Sequence, residues 1–314
     1  MCACAIPVAL CAKYESGKAA ELSQQGYNAG GYDWLATWRR MYDQEREQAE
    51  SATLPGFMTQ PDCWSGQANR FAAAAQRAPQ PDGFMRFLLP RLRPSDRLID
   101  IGAGTGRYES LLAGAVAEVL AVEPSPSMRA QLEQRVGAEQ LANVRVVAQP
   151  WPAADCSACD VAIAAHVLYG VREIEPFLRS MDAAAGRACF LLLAFRHPSS
   201  FVSPFWERLY GVPRLPLPGA LECLSALYQL GIAARLDLVP LTSRLSFADE
   251  QEALDDLRWR LRAPAQPEYD HQIAAAIAEL LVATDDGRLA PRDLPNQAAV
   301  IWWDHSIPGQ AEQR

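Results

Sequence analysis

Hydrophobic and polar positions in the middle of the chain alternate between two kinds of pattern. Five short apolar runs predict buried strands, near 97–101, 117–122, 143–148, 160–165 and 188–195. Three amphipathic segments predict the helices between them, near 107–115, 126–136 and 172–184. Two later runs, near 233–241 and 298–303, complete a predicted sheet of seven mostly parallel strands, with helices covering both faces.

Helical patterns precede and interrupt this α/β core. We predict a flexible tail over 1–30, an N-terminal helical lid over 31–95, and the core over 96–245. A helical insertion over 246–292, with a capping box at Ser246–Asp249, comes before the last strand in 293–306 and a C-terminal tail over 307–314. Aromatic residues in the lid and after the fifth strand either close over a ligand or form ordinary core faces; these are Trp34, Trp38, Tyr42, Trp64, Phe71, Phe205, Trp206 and Tyr210.

The turn after the first core strand carries the most informative motif. Asp100 ends the apolar run, and three alternating glycines follow at 102, 104 and 106. Glycine lets the backbone approach a ligand where a Cβ atom would collide, and the following helix start offers unpaired N–H groups. The dinucleotide fingerprint needs its third glycine at the position of Arg107, so the tighter spacing favours a ligand without a phosphate.

An acidic residue follows at the distance that a nucleoside site needs. Glu123 comes 21 residues after Gly102, at the end of the second predicted strand, where it is placed to accept hydrogen bonds from both ribose hydroxyls. The glycine turn and Glu123 together resemble motif I and the following acidic motif of class I S-adenosylmethionine-dependent methyltransferases. The resemblance extends over about 88–195.

This resemblance implies S-adenosylmethionine as the cofactor and assigns a contact to each part of it. The glycine turn would take the amino-acid part, Asp100 its ammonium, and Glu123 the ribose, while residues after the third strand would meet the adenine and small residues at the fourth would meet the sulfonium. The predicted cofactor-binding residues are Asp100, Gly102, Ala103, Gly104, Gly106, Glu123, Pro124, Met128, Gln149, Trp151, Ala164 and Ala165.

Two residues after the fourth strand are candidates for catalysis. His166 titrates near neutral pH and is able to take a proton from an O–H, N–H or S–H nucleophile, although a histidine here also serves to pack or hold the loop. Tyr169 lines the same predicted pocket or belongs to the core. Methyl transfer needs alignment and exclusion of water more than it needs a base.

Composition narrows the class of acceptor. The net charge of −8, from 29 basic and 37 acidic residues, argues against a nucleic-acid substrate. No apolar stretch approaches a membrane span and no basic region precedes the apolar start, so we predict a cytoplasmic protein without a membrane contact. Eight cysteines in this length do not suggest a disulfide scaffold, and those near the start lack metal-ligand spacing, so no metal is predicted.

The sequence therefore predicts methyl transfer to a small-molecule acceptor, by in-line attack on the sulfonium methyl, in a monomer or homodimer. A non-catalytic partner subunit that kept the fold and a protein-modifying methyltransferase are the alternatives. An acidic groove for basic side chains would favour the second. A nicotinamide-dependent oxidoreductase is disfavoured by Arg107.

Overall fold

A seven-stranded sheet forms the centre of the molecule, in the order β3-β2-β1-β4-β5-β9-β6. The structure, a computed structural model, describes residues 31–58, 62, 64–78, 80–154, 158–241, 245–292 and 294–305. The strands are β1 (Arg97–Ile101), β2 (Glu118–Val122), β3 (Val144–Val147), β4 (Cys159–Ala165), β5 (Ala185–Leu193), β6 (Arg235–Pro240), β7 (Leu281–Ala283), β8 (Leu289–Pro291) and β9 (Gln297–Asp304).

The first five strands run parallel, and β9 lies antiparallel between β5 and β6. Leu98 of β1 pairs with Val119 of β2 on one side and with Val161 of β4 on the other. From β1 the chain moves outward through β2 to β3, and it then crosses back over β1 to form β4 on the other side. The carboxyl ends of β1 and β4 therefore flank the point where strand order reverses. Ligands bind at such a point in open α/β sheets. The predicted seven-stranded, mostly parallel fold is confirmed.

Ten α-helices occur within the described residues. They are α1 (Trp34–Ser51), α2 (Ala68–Arg77), α3 (Gly83–Leu88), α4 (Glu109–Ala113), α5 (Pro126–Ala138), α6 (Ile174–Ala184), α7 (Ser203–Tyr210), α8 (Ala220–Gln229), α9 (Glu250–Leu261) and α10 (Pro267–Leu280). Short 3-10 turns follow α3 and β4 and precede α7, over Leu89–Arg91, Leu168–Gly170 and Pro198–Val202.

The alternation of side chains along the strands divides the core between the two sheet faces. Ile99 of β1 faces a cluster with α1, α6 and α8, which includes Trp38 and Phe177. Its neighbour Leu98 faces a cluster with α3 and α4, which includes Phe84. Both faces of the sheet are therefore covered, which explains why its strands read as continuous apolar runs.

The segment before β9 has a core of its own and is not only helical. Helices α9 and α10 pack with α7, burying Phe205 and Trp206. The prediction of an all-helical insertion missed the antiparallel hairpin of β7 and β8, whose strands have three residues each, too few to give a periodic pattern. The capping-box assignment was also wrong by one turn: Asp249 caps α9, while Ser246 Oγ accepts a hydrogen bond from Arg288.

Helix α1 continues through a charged stretch over 43–50. Glu45 is buried there and accepts a hydrogen bond of 2.7 Å from Nε of Arg214, which precedes α8. The predicted tails over 1–30 and 307–314 lie outside the described residues. No helix in the described part of the chain combines the length and apolar character that a membrane span requires. Nor do three or more potential metal ligands converge among those residues.

Candidate active site

The glycine turn after β1 is tied to the end of β2. The N–H groups of Gly102 and Ala103 both donate to the carbonyl oxygen of Val122, at 2.8 and 3.1 Å. Gly102 has φ +75°, and a Cβ atom there would lie 2.5 Å from a methyl carbon of Val167. Gly104 has φ +60°, but a Cβ atom there would meet no protein atom nearer than 4.0 Å. Gly102 is thus required by the fold, whereas the space beside Gly104 is open to a ligand.

Glu123 closes this turn from the tip of β2. Its Oε2 accepts a hydrogen bond of 2.8 Å from the Gly104 N–H, and its Oε1 accepts one of 2.8 Å from the Ser125 N–H. The residue is 6% exposed, and burial raises the pKa of its carboxyl group. An ionised carboxylate has about four lone-pair sites, so the two backbone bonds leave acceptor capacity for ligand hydroxyls.

Two buried carboxyl groups lie together beneath the turn. Asp100 at the end of β1 and Glu109 at the start of α4 are both almost inaccessible to solvent and are hydrogen-bonded to each other. Burial and the neighbouring carboxyl raise the pKa of Asp100 well above its usual value, and burial raises that of Glu109 to about 7. The pair therefore holds a shared proton at neutral pH.

His166 and Tyr169 are joined at the end of β4. The Tyr169 hydroxyl accepts a hydrogen bond of 2.6 Å from the Ala194 N–H and lies 3.0 Å from Nδ1 of His166. Burial lowers the pKa of His166 to about 4 and raises that of Tyr169 far above neutrality. His166 is therefore neutral at physiological pH, and its φ of +61° turns the chain sharply after β4.

A cavity of about 910 Å³ opens beside these groups. One wall is the carboxyl edge of the sheet, and the others come from α2, from α9 and from the β7–β8 hairpin. Ten of the predicted site residues line it: Asp100, Gly102, Ala103, Gly104, Glu123, Pro124, Met128, Ala165, His166 and Tyr169. The structure thus brings together residues that follow three different strands.

Four of the predicted cofactor-binding residues are absent from the lining of this cavity. Gly106 faces α5, where a Cβ atom would lie 3.0 Å from Leu132, and Ala164 is fully buried in the core. Trp151 packs edge-on against Phe177 and donates its indole N–H to the carbonyl of that residue, and its contact with the cofactor stays a prediction. Gln149 is exposed at the end of β3, and its contact with adenine stays a prediction.

The aromatic residues singled out in the sequence fall into two groups, those that line the cavity and those that belong to the core. Trp64 and Phe71 line the cavity and contact each other edge-on, with ring centroids 5.4 Å apart. Trp38 belongs to the core and donates its indole N–H to Val171. Phe205 and Trp206 pack with α10 and do not line the cavity. Core packing therefore accounts for three of these five aromatic residues.

Sequence reasoning missed the contacts of Asp62, which lies two residues before Trp64. Asp62 accepts hydrogen bonds from the Ser125 hydroxyl and the Ser127 N–H, at 3.0 and 3.1 Å, and so ties the segment before α2 to the start of α5. These partners are more than 60 residues apart in the chain. A contact over that distance leaves no local pattern, so only the folded structure reveals it.

Sequence reasoning also missed five arginines on the cavity walls opposite the sheet. We call them the arginine wall; they are Arg70, Arg77, Arg260, Arg288 and Arg292. Two of them did leave a signal, because Arg70 and Arg77 are seven residues apart on α2 and therefore share one face of that helix. The other three come from α9 and the hairpin, and only the fold brings them to the cavity.

Comparison with known proteins gives one match to a family model and several resemblances to solved structures. Residues 99–185 match the family model described as a methyltransferase domain. Among solved structures, the chain resembles the YcgJ protein of Bacillus subtilis (13% identity, 70% of this chain and 97% of that chain, TM-score 0.47). It also resembles a putative methyltransferase of Bacillus halodurans C-125 (12%, 69% and 96%, TM-score 0.47). A third is the magnesium protoporphyrin IX methyltransferase of Synechocystis PCC 6803 with bound S-adenosylhomocysteine (17%, 67% and 95%, TM-score 0.42). No curated protein matches the sequence.

The matched segment contains the glycine turn, Glu123, the end of β1 and the whole of β2, β3 and β4. It matches a methyltransferase domain, and the protein is an enzyme that uses S-adenosylmethionine. The residues present fit this cofactor, since the space beside Gly104 accepts ligand atoms and Glu123 keeps free acceptor sites toward the cavity.

Proposed function

We propose that this enzyme transfers the methyl group to a small-molecule acceptor that binds in the cavity between the sheet edge and the arginine wall. The observation that carries the proposal is the cavity itself. Its volume of about 910 Å³ lies in the range of small-molecule sites. On the side away from the sheet it is enclosed by α2, α9 and the β7–β8 hairpin. A folded protein substrate would need a more open surface.

The cofactor is held, in this proposal, by the predicted residues that line the cavity. Gly102 and Gly104 present bare backbone to its amino-acid part, with the Asp100 carboxyl beside the ammonium. Glu123 accepts from the ribose hydroxyls through the lone pairs that Gly104 and Ser125 leave free. Trp64 packs over the nucleoside. It lines the cavity and belongs to the segment that Asp62 ties to α5.

His166 and Tyr169 position the acceptor rather than deprotonate it. The Tyr169 hydroxyl oxygen accepts from the Ala194 N–H, and its hydrogen needs an acceptor, which among the described residues is His166 Nδ1 at 3.0 Å. Tyr169 therefore donates to Nδ1, which leaves the hydrogen of the neutral ring on Nε2. In that tautomer His166 offers the cavity a hydrogen-bond donor and no basic nitrogen.

The chemistry follows from alignment. S-adenosylmethionine supplies an electrophilic methyl group on a sulfonium, which a nucleophile attacks in line. The walls of the cavity hold the acceptor in that line and exclude water, which is most of what this reaction requires of a protein. We extend the proposal to a monomeric or homodimeric, cytoplasmic enzyme that does not act on nucleic acid; sedimentation and cell fractionation test the first two points.

The decisive experiment follows the methyl group by mass. The enzyme is incubated with S-adenosylmethionine labelled in the methyl group and with a desalted or an undesalted cell extract. Label recovered in compounds that pass an ultrafiltration membrane, and only with undesalted extract, supports the proposal. Label retained with protein contradicts it and favours the protein-modifying alternative. Enzyme carrying Glu123→Ala serves as the control for label transferred by the extract itself.

A further inference from the structure

The walls of the cavity away from the sheet edge are basic, although the protein as a whole is acidic. The five residues of the arginine wall line the acceptor side of the cavity, in a chain whose net charge is −8. Carboxylates are almost missing from the same walls. Asp286 is the one carboxylate that lines these walls among the described residues, and it accepts a hydrogen bond from the Thr284 hydroxyl.

The charges of the arginine wall are only partly neutralised within the protein. Arg70 and Arg260 share a single carboxylate, that of the buried Asp256, with Arg260 Nε at 2.8 Å from Oδ2. Arg288 pairs with Glu252 at 3.3 Å. Arg77 and Arg292 make no ion pair or hydrogen bond with any residue that the structure describes. The wall therefore has a net positive charge that a ligand is able to neutralise.

The carboxylates on the sheet side make no ion pair with the arginine wall among the residues that the structure describes. Glu123 is engaged by two backbone N–H groups, and the proton shared by Asp100 and Glu109 reduces the charge of that pair. The sixth arginine of the cavity, Arg107, is paired separately with Asp82 at 2.8 Å. The cavity thus has one end suited to the cofactor and a cationic end suited to an anion.

Arg70 and Arg260 are partly buried, which strengthens their attraction for an anion. The side chains of Arg70 and Arg260 are 21% and 16% exposed, so their attraction for an anion is less screened than at an open surface. Asp256 fixes both guanidinium groups from behind, which reduces the entropy lost when a ligand binds. Arginine forks match the two oxygens of a carboxylate, and charge-assisted pairs of this kind are strong.

We propose that the methyl acceptor is a small organic acid that the arginine wall binds through a carboxylate group of the acceptor. This inference rests on the proposed function and names the substrate class of the same site. It disfavours a basic protein side chain as the acceptor, since a cation entering the cavity would meet like charges. Phosphate esters share the anionic chemistry, and the experiment separates them from carboxylates.

The test compares matched probes on the protein loaded with S-adenosylhomocysteine. One set contains small carboxylic acids, the second contains their primary amides, and the third contains phosphate monoesters of similar size. Thermal shift is measured for every probe. We expect carboxylic acids as a class to raise Tm above their amides, and the strongest of them to be methylated when S-adenosylmethionine replaces the product.

Variants connect any such preference to the arginine wall. Arg77→Gln combined with Arg292→Gln removes two exposed charges that have no partner among the described residues. Arg260→Gln leaves Asp256 paired with Arg70, and Arg260→Lys keeps the charge but not the fork. Each Gln change is expected to weaken acid binding at least tenfold, with Arg260→Lys intermediate. The control is Arg179→Gln, whose side chain is exposed on α6 and paired with Glu175.

The outcomes separate the two proposals. An equal response to acids and amides, or acid binding that survives the wall variants, overturns the organic-acid assignment. A consistent preference for phosphate monoesters replaces the carboxylate by a phosphate and also overturns it. Failure of the protein to bind S-adenosylhomocysteine at all would count against the proposed function instead, and calorimetry on the protein without probes detects that case first.

Discussion

Glu123 and Gly104 are joined by a hydrogen bond of 2.8 Å between the carboxylate Oε2 and the backbone N–H. The bond connects the tip of β2 to the glycine turn that follows β1, across the edge of the sheet where parallel strands end. One carboxylate thereby shapes the turn and remains available to a ligand. The first two predictions concern the two members of this pair.

Glu123→Ala should weaken S-adenosylhomocysteine binding at least tenfold, because it removes the acceptor for the ribose hydroxyls. It should also lower the free energy of unfolding by about 1–3 kcal/mol, since the partly buried Gly104 N–H and the buried Ser125 N–H lose their partner. Calorimetry and urea unfolding measure the two effects. Glu118→Ala is the matched control on the same strand, exposed and paired with Arg97. Unchanged affinity in Glu123→Ala would exclude the ribose contact.

Gly104→Ala should reduce cofactor affinity more than it reduces stability. The methyl group would project into the open space beside the turn, and φ of +60° adds about 1 kcal/mol of backbone strain. Gly211→Ala is the matched control, since Gly211 has φ +71° and also has open space but ends α7 away from the cavity. Equal affinity for S-adenosylhomocysteine in the two variants would contradict a ligand position beside Gly104.

The residues around Gly104 and Glu123 also show which features of the site can be predicted from the sequence. The strand runs, the glycine turn and Glu123 are local patterns, and they were enough to predict the seven-stranded fold and the cofactor. The acceptor side was not predictable in the same way. Arg70 lies on α2 and Arg260 on α9, and they meet only through the buried Asp256. Trp151 marks the same limit: its place after β3 follows from the sequence, whereas the direction of its side chain is set by packing on Phe177, which is distant in the chain.

His166→Gln should lower kcat less than tenfold, and the pH profile of kcat should have no limb between pH 6 and 7. The reason is that burial holds the pKa of His166 at about 4 and that Nδ1 accepts from Tyr169, so the ring does not act as a base. A general base contributes 10²- to 10⁴-fold, so a loss of that size would identify one. A change in KM without a change in kcat fits the positioning role.

The Asp100–Glu109 pair should make stability fall as the pH rises. The folded state raises both pKa values, so between about pH 4.5 and pH 7 it holds protons that the unfolded chain has released, and each further rise in pH favours unfolding. Over this pH range the free energy of unfolding should change by up to about 3 kcal/mol less in Glu109→Gln than in the wild type. Urea unfolding across that range measures it, with Glu175→Gln as an exposed control. Parallel curves for wild type and Glu109→Gln would show that the pair titrates normally.

Binding of the cofactor should release a proton from the same pair. In our proposal the ammonium of S-adenosylmethionine lies beside Asp100, and a cation there favours the charged carboxylate, so the raised pKa falls on binding. Calorimetric titrations at pH 7 in buffers with different ionisation enthalpies report the number of protons released. Wild type should show a buffer-dependent enthalpy, and Glu109→Gln, which lacks the shared proton, should show a smaller dependence. An identical enthalpy in all buffers would place the ammonium away from Asp100 and require a different partner for it.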